Sequence, residues 1–211
     1  MRSKAFISAI KNIKFENTFN PYFDTCKVYD YSNSANKRIS MLEDLLEKAT
    51  QVEIDAIWVG RDLGHRGGRR TGLALTDDFN LSNHLNRWSL SSEKITKGLP
   101  IKERTASVVW EMLNDIKSPV FLWNVFPLHP FKPGEPFTNR NHNSVERKAG
   151  EEILSQLIDL LKPKRLIAIG NDAENSVIKF SKSYEVQKAR HPSYGGQNDF
   201  VEKIKFLYKI E

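Results

Sequence analysis

Ala-Ile-Trp-Val-Gly at residues 56–60 leads directly into Arg-Asp-Leu-Gly-His at residues 61–65. The first five residues are apolar and end in glycine, whereas the next five begin a polar loop that is rich in arginine. This change is typical of a buried parallel strand that ends in a loop at its carboxyl end. Similar apolar runs predict three further strands, the last of them weaker, at residues 120–126, 165–170 and 184–189.

Helical patterns separate the predicted strands. Over residues 36–49, apolar side chains recur every three or four residues, with charged side chains on the opposite face, which predicts an amphipathic helix. Because helices alternate with strands, the sequence predicts an α/β protein, a three-layer α/β/α sandwich with a central, mainly parallel four-stranded sheet. Ligands of such folds bind beyond the carboxyl ends of the strands. The other predicted helices cover residues 103–115, 144–161, 173–180 and 200–207.

The composition predicts one folded domain. The chain has 211 residues, of which 39% are hydrophobic and 27% are charged, and this is enough apolar material for one core. We therefore expect a single domain over residues 1–211, in which residues 1–35, aromatic but without regular periodicity after Phe15, form an irregular wrap. No apolar run is long enough for a membrane span, and we expect a monomer without membrane contact.

Charge and cysteine content narrow the choice of partner and compartment. A net charge of +6 favours an anionic partner such as DNA. The single cysteine, Cys26, excludes an intrachain disulfide and any site that needs several thiolate ligands. It therefore predicts a reducing, cytoplasmic location, at the nucleoid when DNA is bound. The histidines lack the spacing of metal ligands, so we expect no metal and no cofactor.

The loop at residues 60–72 has a composition that suits contact with phosphates. Its glycines, beginning with Gly60, allow a ligand to approach the backbone closely, and its four arginines outnumber its one aspartate, Asp62. It matches neither the P-loop nor the dinucleotide-binding fingerprint. The alternative is a solvated loop that only keeps the protein soluble. The arginines are Arg61, Arg66, Arg69 and Arg70.

Isolated polar residues mark two further loops. Asn124 lies within an apolar strand pattern, and its amide can donate and accept at once, as the edge of a base requires; the alternative is a bond to neighbouring backbone. His191 follows the last predicted strand, where an imidazole can donate a hydrogen bond to a leaving group; the alternative is a turn histidine packed on Pro192. Between them, residues 127–142 contain four prolines and predict a long ordered loop, a lid or an arm against a nucleic-acid backbone.

In this order, the loops resemble the motifs of the uracil-DNA glycosylase superfamily. Family members carry a Gly-Gln-Asp-Pro-Tyr-His type motif after the first strand and a Gly-Leu-Ala-Phe-Ser type segment next. They have an Asn at the end of the second strand, a Gly-x-x-Ala turn after the third, and His-Pro-Ser-Pro-Leu-Ser after the last. The similar segments here are residues 60–65, residues 72–76, Asn124, residues 170–173 and residues 191–196.

The resemblance implies a monofunctional DNA N-glycosylase, which flips uracil or a related damaged or modified base and cleaves its N-glycosidic bond, leaving an abasic site. Asp62 would activate the water and stabilise the cationic sugar, and His191 would hydrogen-bond the departing base. Base recognition would fall to Asn124, Leu75 and Gly60. The residues that would contact DNA are Arg61, Arg66, Arg69, Arg70, Ser193 and Tyr194.

The chain departs from the family pattern in several places, and in the first motif Arg61 and Leu63 replace glutamine and proline. Leu75 stands where uracil-specific relatives have a phenylalanine that stacks on the base, which leaves the identity of the base open. Gly195 replaces an intercalating leucine, and Tyr194 can insert or stack in its place. With one cysteine, Cys26, the chain also lacks the ligands of the four-cysteine iron–sulfur branches of the superfamily.

Two alternative functions stay open from the sequence. The first is a catalytically inactive nucleic-acid-binding protein of the same fold. An ion pair of Asp62 with Arg66 or Arg69, together with a carboxylate that faces away from His191, would favour it. The second is an N-glycosidase of free nucleosides or nucleotides, which would be favoured if residues 127–142 closed the cleft against duplex DNA.

Overall fold

A computed structural model describes the fold for residues 2–210, in which helices alternate with short strands. A 3₁₀ turn, Ile178–Phe180, directly follows the helix at Asn171–Val177. The helices are α1 (Arg2–Lys11), α2 (Ser34–Ala49), α3 (Gly68–Thr71), α4 (Leu81–Arg87), α5 (Arg104–Asp115), α6 (Ser144–Leu161), α7 (Asn171–Val177) and α8 (Gln197–Tyr208). The strands are β1 (Thr18–Phe19), β2 (Ala56–Asp62), β3 (Val120–Phe126), β4 (His129–Pro130), β5 (Arg165–Ile169) and β6 (Glu185–Ala189).

Four of the strands form the central sheet in the order β3-β2-β5-β6, and every neighbouring pair is parallel. This confirms the predicted α/β fold with a four-stranded parallel sheet. β2 lies between β3 and β5, and the register places Gly60 opposite Asn124. The carboxyl ends of all four strands therefore meet at one end of the sheet, where the predicted motif loops begin.

Helices cover both faces of this sheet. Along β2, Ile57 and Val59 pack into a core with α1, α2 and α6, whereas Trp58 packs into a second core with α5 and α8. Successive side chains of a strand face opposite sides, so an apolar strand must be covered on both. The result is the predicted three-layer α/β/α sandwich. None of the helices in residues 2–210 is long and apolar enough to cross a membrane.

The N-terminal segment is more regular than predicted. Residues 2–11 form α1, whose side chains Phe6, Ile7 and Ile10 are buried where the helix meets α2 and α6. Further on, β1 pairs in antiparallel fashion with β4. The prediction of an irregular wrap over residues 1–35 is therefore wrong for these two elements, because short elements are stabilised by tertiary packing that local periodicity does not reveal. The assignment of residues 1–211 to one domain stays a prediction.

A buried ion pair fastens the N-terminal segment to α2. The side chains of Arg38 and Asp30 have no exposed surface, and the two groups form a bidentate pair. Arg38 Nε also donates to the Arg70 carbonyl oxygen at 2.7 Å. Asp30 accepts from the backbone N–H of Cys26 at 2.8 Å. Removing one partner of such a pair is costly, because the remaining charge has no water around it.

We expect Asp30→Asn to lower the free energy of unfolding by about 3–5 kcal/mol. The substitution preserves the shape of the side chain and removes the charge that Arg38 needs. Urea denaturation followed by circular dichroism measures the loss. Asp44→Asn, on the exposed face of α2, is the control that should change little. A loss for Asp30→Asn below about 1 kcal/mol, as for a surface pair, would contradict this role.

Candidate active site

A cleft of about 800 Å³ opens at the carboxyl end of the central sheet. It lies between the loops after β2, β5 and β6, the start of α5, and the end of the segment at residues 127–142, which we call the arm. The predicted fold places a ligand site here. No three His, Cys, Asp or Glu side chains within residues 2–210 cluster closely enough to hold a metal ion. The lining includes Asp62, Leu75, Glu103, Asn139, His191 and Tyr194.

Asp62 ends β2 and lines the cleft, although only 5% of its side chain is exposed. Its Oδ2 accepts a hydrogen bond from Arg61 Nε at 2.6 Å. Its Oδ1 is hydrogen-bonded to His142 Nδ1. The carboxylate therefore pairs with Arg61 and His142, and not with Arg66 or Arg69, and both of its oxygens are held by the protein.

His142 is a residue of this site that the sequence pattern did not single out. It ends the arm beside Asn143, the capping residue of α6, and only 6% of its side chain is exposed. Its ring lies 6.0 Å from that of Phe126. Because Asp62 lines the cleft and His142 does not, the imidazole supports the carboxylate without reaching the cleft. The two residues are 80 positions apart, and no local signal predicts their contact.

His191 follows β6 and lines the same cleft as Asp62. The backbone N–H of Ser193 donates to His191 Nδ1 at 3.2 Å, so a neutral ring carries its proton on Nε2. Burial and the nearby Arg61 cation lower the pKa of His191 from its ordinary value, which favours the neutral ring at pH 7. Gly170 has a φ of +90°, and a Cβ there would lie 3.1 Å from His191 Cβ. The local fold thus presents a neutral imidazole that can donate from Nε2.

Asn124 lies on β3 opposite Gly60 and has only 1% of its surface exposed. Within residues 2–210, neither Nδ2 nor Oδ1 of its amide has a hydrogen-bond partner, so the alternative of a bond to neighbouring backbone is wrong. A Cβ at Gly60 would collide with Asn124 Oδ1 and would lie 3.2 Å from Leu75 Cδ2, so the three residues meet at one point. An unpaired buried polar group costs about 1–3 kcal/mol, which a ligand edge could recover.

Arg69, predicted to contact DNA, is instead buried on α3 with 3% of its surface exposed. Its guanidinium lies 4.2 Å from the centre of the Phe19 ring and 4.9 Å from that of Phe137. It also donates to the Tyr29 hydroxyl at 2.8 Å. A guanidinium enclosed by aromatic rings cannot reach a phosphate, so the prediction for this residue is wrong.

Arg70 and Arg61 are held by carboxylates. Arg70 is also 3% exposed, and its Nε donates to Asp78 Oδ2 at 2.7 Å, so the prediction of a DNA contact is wrong here too. Arg61 keeps 34% of its side chain exposed but pairs with both Asp62 and Asp172. Contact of Arg61 with DNA stays a prediction.

The other three residues predicted to contact DNA are accessible. Arg66 is exposed on the first loop. Ser193 lines the cleft, and its Oγ lies 3.3 Å from Thr105 Oγ1. Tyr194 is 99% exposed at the cleft and has a φ of +53°, a left-handed conformation that is uncommon for a residue other than glycine. The loop thus holds an aromatic ring out into the solvent at the edge of the cleft.

Glu103 is a second site residue that the sequence pattern did not single out, because that pattern indicates only the start of a helix. It precedes α5 and lines the cleft. Its backbone N–H donates to Asp77 Oδ2 at 2.7 Å. Burial, followed by the negative charge of Asp77, raises the pKa of Glu103 to about 7, although the Arg66 cation opposes this shift. The cleft therefore contains a carboxyl group that is partly protonated near neutral pH.

Comparison with known proteins agrees with this geometry. The sequence profile of the uracil DNA glycosylase superfamily matches residues 48–210. The chain therefore belongs to the uracil DNA glycosylase superfamily, as the resemblance of its motifs implied. The crystal structure of wild-type SMUG2 from Pedobacter heparinus is similar, with a TM-score of 0.65 at 15% identity over 99% of this chain and 97% of that one. No curated protein sequence matches the chain.

The raised pKa of Glu103 makes the stability of the protein depend on pH. The folded protein binds this proton more tightly than the unfolded chain, in which the ordinary pKa is 4.5. The stabilising contribution is therefore complete below that pKa and is lost as the pH rises through about 7. Relative to Glu103→Gln, which does not titrate, the wild-type free energy of unfolding should fall on the order of 2 kcal/mol from about pH 5 to about pH 8.

Urea denaturation of both proteins at a series of pH values measures this difference. The comparison with Glu103→Gln removes the contributions of other titrating groups, because both proteins share them. A difference that stays constant across the series would show that the Glu103 carboxyl group does not occupy this buried position.

Proposed function

We propose that the protein is a monofunctional DNA glycosylase, which takes up flipped uracil, or a related damaged or modified base, and hydrolyses its N-glycosidic bond. The observation that carries this proposal is that the carboxylate of Asp62 and the neutral imidazole of His191 line one cleft. The buried, unpaired amide of Asn124 meets Leu75, which also lines the cleft, at Gly60. Membership of the uracil DNA glycosylase superfamily supports the same class of reaction.

Asp62 acts on the sugar side of the bond. As the bond from C1′ to the base nitrogen lengthens, its electron pair moves onto the base and the sugar becomes cationic, as in other glycoside hydrolyses. The Asp62 carboxylate stabilises this cation and accepts a proton from the water whose oxygen bonds to C1′. Arg61 and His142 fix both carboxylate oxygens, so the charge needs no reorganisation as the reaction proceeds.

His191 and Asn124 act on the base. The His191 Nε2–H donates to a carbonyl oxygen of the departing base, where negative charge develops. A preorganised donor of this kind contributes about 2.7–4 kcal/mol to the transition state. Asn124 pairs with the donor and acceptor edge of the base, in the space that Gly60 leaves for its amide. Because Leu75 replaces an aromatic ring, the base is selected more by hydrogen bonds than by stacking.

Contacts with the DNA strand come from the rim of the cleft. Arg66, Arg61 and Ser193 bind phosphates, which fixes the position of the strand without reading its sequence. Tyr194 enters the gap that the flipped nucleotide leaves, since its ring is already presented to solvent. We further propose a monomer that acts on cytoplasmic or nucleoid DNA, which the single cysteine and the net charge of +6 support.

The proposal is tested by incubating the protein with single- and double-stranded oligonucleotides that carry uracil, hypoxanthine, a thymine mismatch or a modified cytosine. Hot alkali then cuts any abasic site. We expect the wild-type protein to produce cuts at one or more of these bases. We expect Asp62→Asn to abolish them while DNA affinity stays within a few-fold, because the amide keeps the shape of the side chain but cannot accept the proton.

Each other result points to a different function. Cutting by Asp62→Asn at the wild-type rate would remove Asp62 from catalysis. A wild-type protein that cuts nothing but binds DNA tightly, with strong salt dependence, would be the inactive binding protein. Release of base from free nucleosides without cutting of DNA would identify a nucleoside N-glycosidase.

We expect His142→Ala to reduce kcat about 100-fold with little change in DNA affinity, because Asp62 loses one of the two groups that position it. His142→Asn should restore part of the rate, since its amide can donate to the same oxygen. Single-turnover excision and fluorescence anisotropy measure the two quantities.

The control for this prediction is His65→Ala. It removes the contact of the His65 ring with Asn139 of the arm without touching Asp62, and it keeps the hydrogen bond that the His65 backbone N–H donates to the same residue. If His65→Ala and His142→Ala reduced kcat equally, the effect would come from general placement of the arm, and the specific role of His142 would be wrong.

A further inference from the structure

The cleft is lined by four lysine and arginine side chains, and within residues 2–210 each of them is paired with a carboxylate. A phosphate that approaches the cleft wall therefore meets cations whose charge is already matched. The burial of each pair decides which cation is available to a ligand. The four cations are Arg61, Arg140, Lys188 and Arg190.

Two of these pairs include a buried carboxylate. Arg140 pairs with Glu146, which also accepts a hydrogen bond from the backbone N–H of Asn143 at 2.8 Å. Arg61 pairs with the buried carboxylate of Asp62. Breaking a pair of this kind is costly, because the buried partner keeps a charge that water does not reach. These two cations are therefore held by the fold.

The other two pairs are open to solvent on both sides. Lys188 Nζ lies 2.7 Å from Glu174 Oε2, and Arg190 Nη1 lies 2.6 Å from Asp199 Oδ2. At least 34% of each of the four side chains is exposed. Ion pairs of this kind contribute little to stability, because water and salt screen them. Another anion can therefore replace either carboxylate at little cost.

The two exposed cations face the cleft, whereas their carboxylates lie outside it. Lys188 belongs to β6, and Arg190 directly follows that strand. The Arg190 side chain packs on the next loop, because a Cβ at Gly196 would lie 3.1 Å from its Cγ and from its Nε. Glu174 and Asp199 come from the first turns of α7 and α8 and do not line the cleft. A ligand in the cleft thus reaches the cations without crossing their partners.

We propose that Lys188 and Arg190 form a phosphate-binding site for the DNA strand that carries the flipped nucleotide. In the free protein, Glu174 and Asp199 occupy this site, and the phosphates of the strand displace them. The inference rests on the proposed function, which supplies DNA as the ligand and a phosphate contact at Ser193 on the same cleft. The guanidinium group can bind a phosphate through two hydrogen bonds, and the ammonium group binds it as a point charge.

This exchange makes the two carboxylates competitors of DNA. Each phosphate contact must first release Glu174 or Asp199, so the protein binds DNA less tightly than it would with free cations. Phosphate contacts do not depend on the base sequence, and weakening them favours release of DNA that has no target base. Removing either carboxylate should therefore strengthen DNA binding. A purely structural ion pair has no such effect, because its carboxylate does not compete with the ligand.

The test is a double-mutant cycle on a duplex that carries tetrahydrofuran, a stable analogue of an abasic site, so that neither base identity nor cleavage affects binding. Fluorescence anisotropy measures Kd over a series of salt concentrations. We expect Glu174→Gln to raise the affinity about 2- to 5-fold, the value of an exposed ion pair. Lys188→Met should lower the affinity and reduce the salt slope by about one unit. In the double variant, Glu174→Gln should add nothing, because the cation that it competes for is absent.

A second cycle and a control pair make the result specific. Arg190→Met and Asp199→Asn test the other ion pair in the same way, and a thermal unfolding assay verifies that each variant is folded. The control is the exposed pair of Lys164 and Glu53, 2.9 Å apart. Lys164 precedes β5 and so lies at the amino end of the sheet, away from the cleft. Lys164→Met and Glu53→Gln should change the affinity less than about 2-fold, because salt screens charges at such distances.

The outcomes separate this inference from the proposed function. If Glu174→Gln raised the affinity equally with and without Lys188, the cause would be a general loss of negative charge, and the exchange would be wrong. Unchanged affinity and salt slope in Lys188→Met and Arg190→Met would overturn the phosphate site even if the protein excises bases. Coupling in both cycles would support the site even if no base is cut. Absence of wild-type binding to the duplex would overturn this inference, and the alkali assay would then decide the proposed function separately.

Discussion

A guanidinium group inside a protein needs partners, and at Arg69 the aromatic rings that supply them tie three separate segments together, although Nε has no hydrogen-bond partner within residues 2–210. Phe19 and Tyr29 come from the N-terminal segment and Phe137 comes from the arm, and all three contact the Arg69 side chain. Cation–π contacts strengthen when water is excluded, so the segments hold best when all are in place. The arm that Phe137 anchors also carries His142 to Asp62. One of the two groups that hold the proposed catalytic carboxylate is thus carried by a segment that packs against Arg69.

The need of buried arginines for partners also explains why the arginine-rich loop at residues 60–72 is not a DNA-binding surface along its whole length. Arg38 is paired with Asp30 and donates to the Arg70 carbonyl oxygen, while the Arg70 side chain is paired with Asp78. These charges are used within the fold and contribute little to the field outside. Composition reports how many arginines a loop contains, but it does not report whether carboxylates and aromatic rings from elsewhere in the chain enclose them.

The fold and part of the site could be predicted because their signals are local. Buried parallel strands are apolar on both faces, so β2 and β3 are visible as short apolar runs. The residues that end or follow such strands, Asp62 and His191 among them, lie at one end of the sheet by topology alone. His142 and Glu103 could not be found in this way. Their significance depends on contacts with loops distant in sequence, and each lies in a segment whose local pattern indicates only an arm or the start of a helix.

The polar groups of the cleft divide into those that the protein satisfies and those that it leaves unpaired. Asp62 is bonded at both oxygens, as a group that must stay in one position through a reaction should be. The Asn124 amide and the Glu103 carboxyl group lie in spaces kept open by glycines, and the amide has no partner at either atom. Leaving such groups unpaired costs stability in the free protein. Under the proposed function it would also create selectivity, because a base that lacks the matching groups would leave the same cost unrecovered in the complex. On this physical basis, the proposed recognition depends on what the fold leaves unsatisfied, whereas the proposed chemistry depends on what it holds fixed.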